Sequence, residues 1–314
     1  MYDLIIVGGG PAGASAGVYA ARKRLKTALV TSEWGGQSNV SGEIQNWIGT
    51  PAISGTRLAE NLRKHVESYA GDSLSVIFPD KAVSLEQDNE KVTVTLASGK
   101  KLESRSAFLA PGATRRKLEI PGAKEYDQKG LTYCATCDGP LFEGKDVAVI
   151  GGGNAAFETA SQLLAYCKTV TLLVRGDTYR ADEITIRSVL AHPNMRVIKN
   201  ATPTRVSGNK FVTGLKWRNA GTGKEEILPV EGIFVEIGLL PNTSWLADSL
   251  VLNKIGQVVV DPRTQRASLL DEKIAPSRVW AAGDCTDGKY HQNNIASGDA
   301  VKALEDIYLF IKSS

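Results

Sequence analysis

Two apolar runs of strand length each lead into a glycine-rich segment. The first run begins at Tyr2 and leads into residues 8–13, and the second, residues 146–150, leads into residues 151–156. A helix-like stretch follows each segment, so the pattern predicts a strand, a glycine turn and a helix at two places. The start of such a helix offers free N–H groups and the positive end of a dipole. The pattern therefore predicts two sites for phosphate-bearing ligands.

Both segments carry the fingerprint of a dinucleotide-binding turn. Its first glycine allows the tight turn, its second lets the backbone approach a pyrophosphate, and its third small residue packs helix against strand. The residues concerned are Gly8, Gly10 and Gly13 in the first segment, and Gly151, Gly153, Asn154 and Ala156 in the second. One segment alone could be an ordinary strand-to-helix turn. Two of them, at the heads of separate βαβ-like patterns, favour two dinucleotide sites.

The rest of the pattern indicates further strands and helices of an α/β protein. Strands are predicted at residues 91–96, 106–110, 257–260 and 278–282, and helices at residues 55–69 and 298–311. Pro-Gly pairs punctuate the chain before the second βαβ pattern, and the last strands and helix return to the first domain.

This order of elements predicts an α/β fold of two Rossmann-like domains, one inserted into the other. The expected limits are residues 1–114 and 244–314 for the outer domain and residues 115–243 for the inserted domain. The 314 residues, 42% hydrophobic and 23% charged, suffice for two ordinary cores.

Charge and hydropathy narrow the classes of partner. The net charge of +3 does not predict a nucleic-acid surface. No apolar stretch reaches the ~18 to 20 residues that span a bilayer, so no membrane partner is expected. Because the chain enters its first strand at once, we expect no signal peptide and a cytoplasmic protein.

A Cys-x-x-Cys motif lies between the two glycine segments, with Cys134 and Cys137 followed by Asp138. A zinc knuckle would need four ligands, whereas Cys167, Cys285 and the three histidines are scattered along the chain. Near nucleotide-binding patterns the motif favours a redox dithiol, in which one thiolate attacks and the other resolves. We therefore expect a relay from nicotinamide through flavin to a disulfide, and no metal.

At these residues the chain resembles low-molecular-weight thioredoxin reductase, and more closely the reductase module of the alkyl hydroperoxide reductase flavoprotein subunit. The resemblance runs almost from end to end. Further landmarks are residues 35–37 (GGQ), Glu158, residues 232–238 (GIFVEIG), residues 241–242 (PN) and residues 281–284 (AAGD). The hydroperoxide reductase flavoprotein also carries an N-terminal thioredoxin-like extension. Since the first glycine segment starts at residue 8, we expect no such extension and a separate molecule as the final acceptor.

The resemblance implies that the outer domain binds FAD. It assigns to this cofactor the residues Gly8, Gly10, Gly13, Gln37, Asp284 and Gln292. Glu33 is the candidate for a ribose hydroxyl, although a solvated loop carboxylate would give the same pattern. Asp284 would bind the sugar-like chain of the flavin, and could otherwise be only a helix cap. His291 departs from the Arg or Lys often found there, and we expect an ordinary polar contact.

The family pattern gives the two sulfurs of the redox-active disulfide bond different roles. Cys137 would lie against the flavin and accept electrons, and Cys134 would attack the disulfide of the partner. Asp138 would supply or shuttle the proton. Cys167 and Cys285 are expected to be buried packing residues.

The second glycine segment is expected to bind a nicotinamide dinucleotide. An acid at the end of the following strand would favour NAD, and an arginine would favour the 2′-phosphate of NADP. Val174 cannot accept a hydrogen bond, whereas Arg175 and Arg180 match two basic positions of thioredoxin reductases and Gly176 departs from a third. NADPH is expected, with NADH possible. The alternative is that both arginines are surface charges and selectivity is relaxed.

These assignments predict an FAD-dependent, NAD(P)H-linked thioredoxin-disulfide reductase, acting as a homodimer on a thioredoxin-like or glutaredoxin-like protein. One alternative is the reductase component of a peroxiredoxin system. Another is a catalytically weak nucleotide-binding redox sensor, which turnover with a generic disulfide would distinguish from an enzyme.

Overall fold

The chain divides into two compact units. A computed structural model describes residues 1–40, 44, 46–71, 73–133 and 135–313, without the side chains of residues 40, 136 and 137. Unit 1 comprises Met1–Thr114 and Leu240–Ser314, and unit 2 comprises Arg115–Leu239. The sequence places the second border at residues 243–244, and the structure places it at residues 239–240. Unit 2 is thus one continuous segment inserted into unit 1.

The described residues form the following elements. The strands are β1 (Tyr2–Gly9), β2 (Thr27–Trp34), β3 (Leu74–Ile77), β4 (Ala82–Gln87), β5 (Val92–Leu96), β6 (Lys101–Leu109), β7 (Ala113–Arg115), β8 (Leu131–Thr132), β9 (Asp146–Ile150), β10 (Thr169–Leu173), β11 (Met195–Ile198), β12 (Ala201–Gly208), β13 (Val212–Asn219), β14 (Glu225–Pro229), β15 (Gly232–Val235), β16 (Leu239–Pro241) and β17 (Val279–Ala281). The helices are α1 (Pro11–Arg22), α2 (Gly55–Glu67), α3 (Ala135–Asp138), α4 (Asn154–Leu163), α5 (Glu183–Leu190) and α6 (Asn293–Ser313). Short 3-10 helices occupy Gly36–Val40, Gly139–Phe142 and Ser244–Leu246. Among these residues, no helix combines the length and the apolar character of a membrane span.

Unit 1 is built on a sheet that has seven strands in the described part of the chain, with the order β3-β2-β1-β6-β5-β4 and β17 paired with β6. β1 pairs in parallel with β2 and β6, whereas β5 joins β6 antiparallel. Leu4 and Ile6 of β1 pack in one core with helix residues such as Leu304, and Ile5 and Val7 pack in a second core on the opposite face. Burial on both faces explains why β1 is a continuous apolar run rather than an alternating one.

Unit 2 contains a parallel sheet that has five strands among the described residues, with the order β11-β10-β9-β15-β8. Phe157 of α4 packs with Val147 and Val149 on one face. Ala148 and Ile150 pack on the other face in a core that includes Trp217 of β13. Buried strands joined by helical crossovers confirm the predicted α/β class of two Rossmann-like units.

Three elements differ from the sequence-based expectation. Residues 257–260 form only isolated bridges, through Val258 and Val260, instead of a regular strand. Helix α6 begins at Asn293, earlier than the predicted residue 298. Unit 2 also contains an antiparallel sheet of β12, β13 and β14 that the sequence did not reveal.

Candidate cofactor and redox sites

The glycine turn of unit 1 lies between β1 and α1. Gly8 has a φ of +114°, and a Cβ there would lie 2.1 Å from the carbonyl oxygen of Ala110. A Cβ on Gly13, in α1, would lie 1.9 Å from the carbonyl oxygen of Gly8. Gly10, the N-cap of α1, differs because a Cβ there would meet no described atom within 4 Å. The turn is therefore closely packed at Gly8 and Gly13 and open at Gly10.

A cavity of about 390 Å³ in unit 1 is lined by this turn. Its lining includes five of the residues assigned to FAD, namely Gly8, Gly10, Glu33, Gln37 and Asp284. The open helix start suits a pyrophosphate. The carboxylates at the ends of two strands supply acceptors for sugar hydroxyls. The residues present therefore fit FAD.

Two other residues assigned to FAD are not among those lining the cavity. Gly13 is packed inside the turn. Gln292 is exposed, and its amide oxygen accepts a hydrogen bond from Nδ2 of Asn46 at 3.0 Å. Gly13 can thus shape the turn without touching a ligand, whereas Gln292 lies in a side-chain network beside α6.

The glycine turn of unit 2 repeats the arrangement between β9 and α4. Gly151 has a φ of +152°, and a Cβ there would lie 2.3 Å from the carbonyl oxygen of Glu236. Gly153 is the N-cap of α4 and faces open space, with the Arg180 carbonyl oxygen 4.0 Å from its ideal Cβ. Ala156 is fully buried against the turn. These positions fit a second dinucleotide pyrophosphate.

Arg180 is held beside this second turn. The backbone N–H of Arg180 donates to the carbonyl oxygen of Gly152 at 2.7 Å. The amide oxygen of Asn154 accepts the N–H of Asp182 at 2.8 Å, which ties the segment after β10 to the start of α4. Because these bonds involve backbone, they leave the guanidinium of Arg180 available to a ligand.

The end of β10 places Arg175 in the same region. Val174 before it is buried, and Arg175 and Arg180 are exposed. A Cβ on Gly176 would meet nothing within 4 Å among the described atoms. Two exposed arginines therefore lie on the segment that follows β10, where the dinucleotide-binding pattern would place the ribose 2′-substituent.

A buried carboxylate lies at the neighbouring strand end. Glu236 follows β15, and its side chain accepts hydrogen bonds from Thr159 at 2.9 Å and Arg115 at 3.3 Å. Burial raises the pKa of Glu236 above its ordinary value, and the charge of Arg115 opposes this shift. This ion pair has no signature in the sequence, because its partners are far apart along the chain.

The dithiol motif is described only in part. Cys134 lies outside the described residues, and so does the side chain of Cys137. Asp138 ends α3 and accepts a hydrogen bond from the hydroxyl of Thr132. The carboxylate that the sequence assigns to proton transfer is therefore oriented by a buried threonine.

The other two cysteines are free and buried, as expected. Burial raises the pKa of Cys167 to about 11 and that of Cys285 to about 12. Both thiols therefore stay protonated and weakly nucleophilic near neutral pH. Within the described part of the chain, no three His, Cys, Asp or Glu residues cluster as a metal site would require.

Some polar residues at these sites were not identified from the sequence. In unit 1, Asp80 lines the cavity, and the hydroxyl of Ser38 donates to the amide oxygen of Asn293 at 3.1 Å. In unit 2, Nζ of Lys199 lies 4.5 Å from the centre of the Tyr179 ring. Single polar residues in loops carry no periodic signal, and only the strand order brings them to the sites.

Known proteins resemble this chain along nearly its whole length. The sequence matches the family described as Pyridine nucleotide-disulphide oxidoreductase over residues 2–300. The F subunit of alkyl hydroperoxide reductase from Staphylococcus aureus (strain MRSA252) is 40% identical over 310 residues, which cover 99% of this chain and 59% of that protein. NADH dehydrogenase of Bacillus subtilis (strain 168) is 39% identical over 302 residues, which cover 96% and 57%. The chain thus spans less than two thirds of the length of both relatives.

Solved structures of thioredoxin reductases resemble the whole chain. The Lactococcus lactis enzyme has a TM-score of 0.83 at 30% identity and covers 100% of both chains. The enzyme of T. acidophilum has a TM-score of 0.81 at 32% identity, covering 100% of this chain and 99% of that chain. These findings confirm the resemblance seen in the motifs. With a family match that takes in both glycine turns and the Cys-x-x-Cys motif, this chain belongs to the pyridine nucleotide-disulphide oxidoreductases.

Proposed function

We propose that this chain is a flavin-dependent disulfide reductase that takes electrons from NAD(P)H. The observation that carries the proposal is the pair of glycine turns, each open at the N-cap of a helix and each in its own unit. FAD would bind in unit 1 and the nicotinamide coenzyme in unit 2. The family match, which names pyridine nucleotides and disulphides, supports both assignments.

The chain's own residues would hold the flavin in unit 1. FAD, once bound, supplies a carrier that takes two electrons from a dihydronicotinamide and gives them to a disulfide. The N–H groups at the head of α1 would bind its pyrophosphate, with Gly10 leaving room for close approach. Glu33 and Asp284 would accept hydrogen bonds from its sugar hydroxyls, and Gln37 would line the ring.

The dithiol would carry the two electrons to the acceptor. Reduction of the Cys134–Cys137 disulfide consumes two electrons and two protons. The Cys134 thiolate then attacks the disulfide of the partner, and a mixed disulfide forms while one partner thiolate leaves. Attack by Cys137 releases the second partner thiolate and restores the disulfide. Asp138 would hold and deliver a proton to a leaving thiolate.

The coenzyme proposed is NADPH. Arg175 and Arg180 are exposed at the strand end that reads the ribose 2′-position, where a charge-assisted contact favours a phosphate. NADH is the second candidate, because Gly176 supplies no further cation and a relative is named NADH dehydrogenase.

The acceptor proposed is a thioredoxin-like or glutaredoxin-like protein. The full-length similarity to two thioredoxin reductases supports this choice. A peroxiredoxin system is the second candidate, favoured by the 40% identity to the hydroperoxide reductase protein. By analogy with the family we further propose that the protein is cytoplasmic and that it forms a homodimer. Light scattering after gel filtration would test the homodimer.

Anaerobic titration of the FAD-loaded protein tests the proposal. NADPH should bleach the flavin absorbance, and a thioredoxin, a glutaredoxin and a peroxiredoxin are then compared as electron acceptors. The matched control is Cys137→Ser, which should still be bleached by NADPH but should reduce no disulfide. Absence of disulfide reduction by the wild-type protein with every acceptor and with a generic disulfide would favour the redox-sensor alternative.

A further inference from the structure

A chain of side-chain hydrogen bonds in unit 1 ends on Asp284, the carboxylate assigned above to FAD. It begins at Asn253, whose Oδ1 accepts the backbone N–H groups of Ile255 and Gln257, both at 3.0 Å. Backbone N–H groups can only donate. The amide of Asn253 therefore has one possible orientation, with Oδ1 towards the backbone and Nδ2 pointing away.

The orientation of Asn253 determines that of Gln257. Nδ2 of Asn253 donates to Oε1 of Gln257 at 2.8 Å. The Nε2 group of Gln257 is thereby directed at Nε2 of His291, 3.5 Å away. Since an amide nitrogen is a donor and never an acceptor, the Nε2 atom of His291 must accept this hydrogen bond.

The remaining nitrogen of His291 must then carry the proton. Nδ1 of His291 lies 3.5 Å from Oδ1 of Asp284. A neutral imidazole has one donor and one acceptor nitrogen, so Nδ1–H donates to the carboxylate. The side chains of His291 and Asp284 are each 26% exposed, which shields this contact partly from water.

We propose that this relay fixes the proton of neutral His291 on Nδ1 and thereby orients the Asp284 carboxylate towards its ligand. His291 is thus a positioning residue that acts through Asp284, because Asp284 lines the cavity and His291 is not among the lining residues. The inference rests on the proposed binding of FAD, and concerns how one contact to that cofactor is held.

Protonation of His291 is subject to opposing effects. The hydrogen bond to Asp284 raises the pKa of His291 above its ordinary value, burial opposes this shift, and a backbone hydrogen bond with Gly288 adds to it. The amide of Gln257 also opposes protonation, because an imidazolium would place an N–H against another donor. The nearby charged residues face elsewhere, since Asp287 accepts the N–H of Val260 and Lys289 lies over Tyr290.

The tautomer can be measured directly. The chain has three histidines, so long-range ¹H–¹⁵N correlation spectra of the labelled protein are simple, and His291→Gln identifies the signal of His291. At a pH where the ring is neutral, the spectra of the wild-type protein should show the proton on Nδ1. A proton on Nε2 of His291 in the wild-type protein would overturn the proposal.

Asn253→Asp tests the direction of the relay. A carboxylate oxygen in place of Nδ2 repels Oε1 of Gln257, so the Gln257 amide should turn and present its oxygen to His291. The proton should then move to Nε2, or the pKa of His291 should rise. Asn219→Asp is the matched control, because Asn219 likewise accepts two backbone N–H groups, from Gly221 and Thr222, but lies in unit 2. An unchanged tautomer and pKa in Asn253→Asp would contradict the relay.

The affinity for FAD tests the positioning role. His291→Leu removes the donor, and the dissociation constant of FAD should rise about two- to tenfold. His291→Gln can still donate to Asp284 and should bind FAD within about twofold of the wild type. Equal affinity of all three proteins would overturn the positioning role. Asp284→Asn distinguishes a failure of the FAD assignment from a failure of the relay. If this variant binds FAD as tightly as the wild type does, the assignment of Asp284 to FAD is wrong. The relay still stands in that case, provided that His291 of the wild-type protein carries its proton on Nδ1.

Discussion

At the scale of single residues, the buried Glu236 carboxylate makes the stability of unit 2 depend on pH. Burial raises its pKa in the folded chain above the ordinary value of 4.5. The folded state therefore binds this proton more tightly than the unfolded state does, and stability falls as pH rises from about 4.5 through the raised pKa.

Glu236→Gln should remove this dependence, because an amide keeps the contacts with Thr159 and Arg115 without a charge to desolvate. We expect the melting temperature of the variant to equal or exceed that of the wild type at pH 7.5, with a difference that vanishes as pH falls below about 4.5. Glu125→Gln, at an exposed position of unit 2 that does not contribute to the Glu236 shift, should change little. A variant that is less stable than the wild type at pH 7.5, but not below about pH 4.5, would mean that the ionic contact with Arg115 outweighs the cost of burial.

Arg175 allows a test of coenzyme selectivity. If its guanidinium contacts the 2′-phosphate, Arg175→Ala should lower kcat/KM for NADPH by about ten- to a hundredfold and leave that for NADH almost unchanged. Gly176→Arg should raise the preference for NADPH, since a Cβ at that position would meet no described atom within 4 Å. Equal losses with both coenzymes in Arg175→Ala would assign this residue to the fold instead.

At the scale of elements, the two glycines at the start of α1 are expected to have different roles. Gly13 is needed for packing, and Gly10 leaves room for the ligand. Gly13→Ala places a methyl group 1.9 Å from a carbonyl oxygen, whereas Gly10→Ala places one in open space. We expect Gly13→Ala to lower the melting temperature of the FAD-free protein. Gly10→Ala should leave that temperature unchanged and weaken FAD, because its methyl group stands where the backbone would approach the pyrophosphate. Thermal scans and FAD titrations of both variants measure this, and normal FAD affinity in Gly10→Ala would contradict it.

Elements with a strong local signal were predictable from the sequence. The turns after β1 and β9 combine an apolar strand with closely spaced glycines, and both were found. Helix α6 begins before the predicted residue, and Gly298 lies inside the helix rather than at its start. The strand expected at residues 257–260 is replaced by isolated bridges, because Val258 and Val260 pair with single residues of other segments rather than with a continuous neighbouring strand. The contacts that connect Asn253 to Asp284 could not be predicted from the sequence, because only the fold brings these residues together.

At the scale of the whole molecule, the chain should present two classes of thiol. Two of its four cysteines, Cys167 and Cys285, are buried with raised pKa values. After reduction, the native protein should therefore react with a thiol reagent at no more than two positions near pH 8, and the denatured protein at four. In the double variant Cys134→Ser/Cys137→Ser these numbers should become zero and two. A third reactive thiol in the native wild type would contradict the predicted protection.

The division of unit 1 into two segments has a consequence for synthesis on the ribosome. Strand β17 pairs with β6, and residues of α6 such as Leu304 share a core with Leu4 of β1. The first segment of unit 1, Met1–Thr114, therefore cannot complete its fold until the second segment has been synthesised. All of unit 2 is synthesised between the two segments. At ~5 to 20 residues per second this wait lasts on the order of ten seconds or more. During it the apolar face of β1 lacks its covering helix, so nascent chains should need a chaperone at this stage, and FAD can be captured only after the second segment of unit 1 has been synthesised.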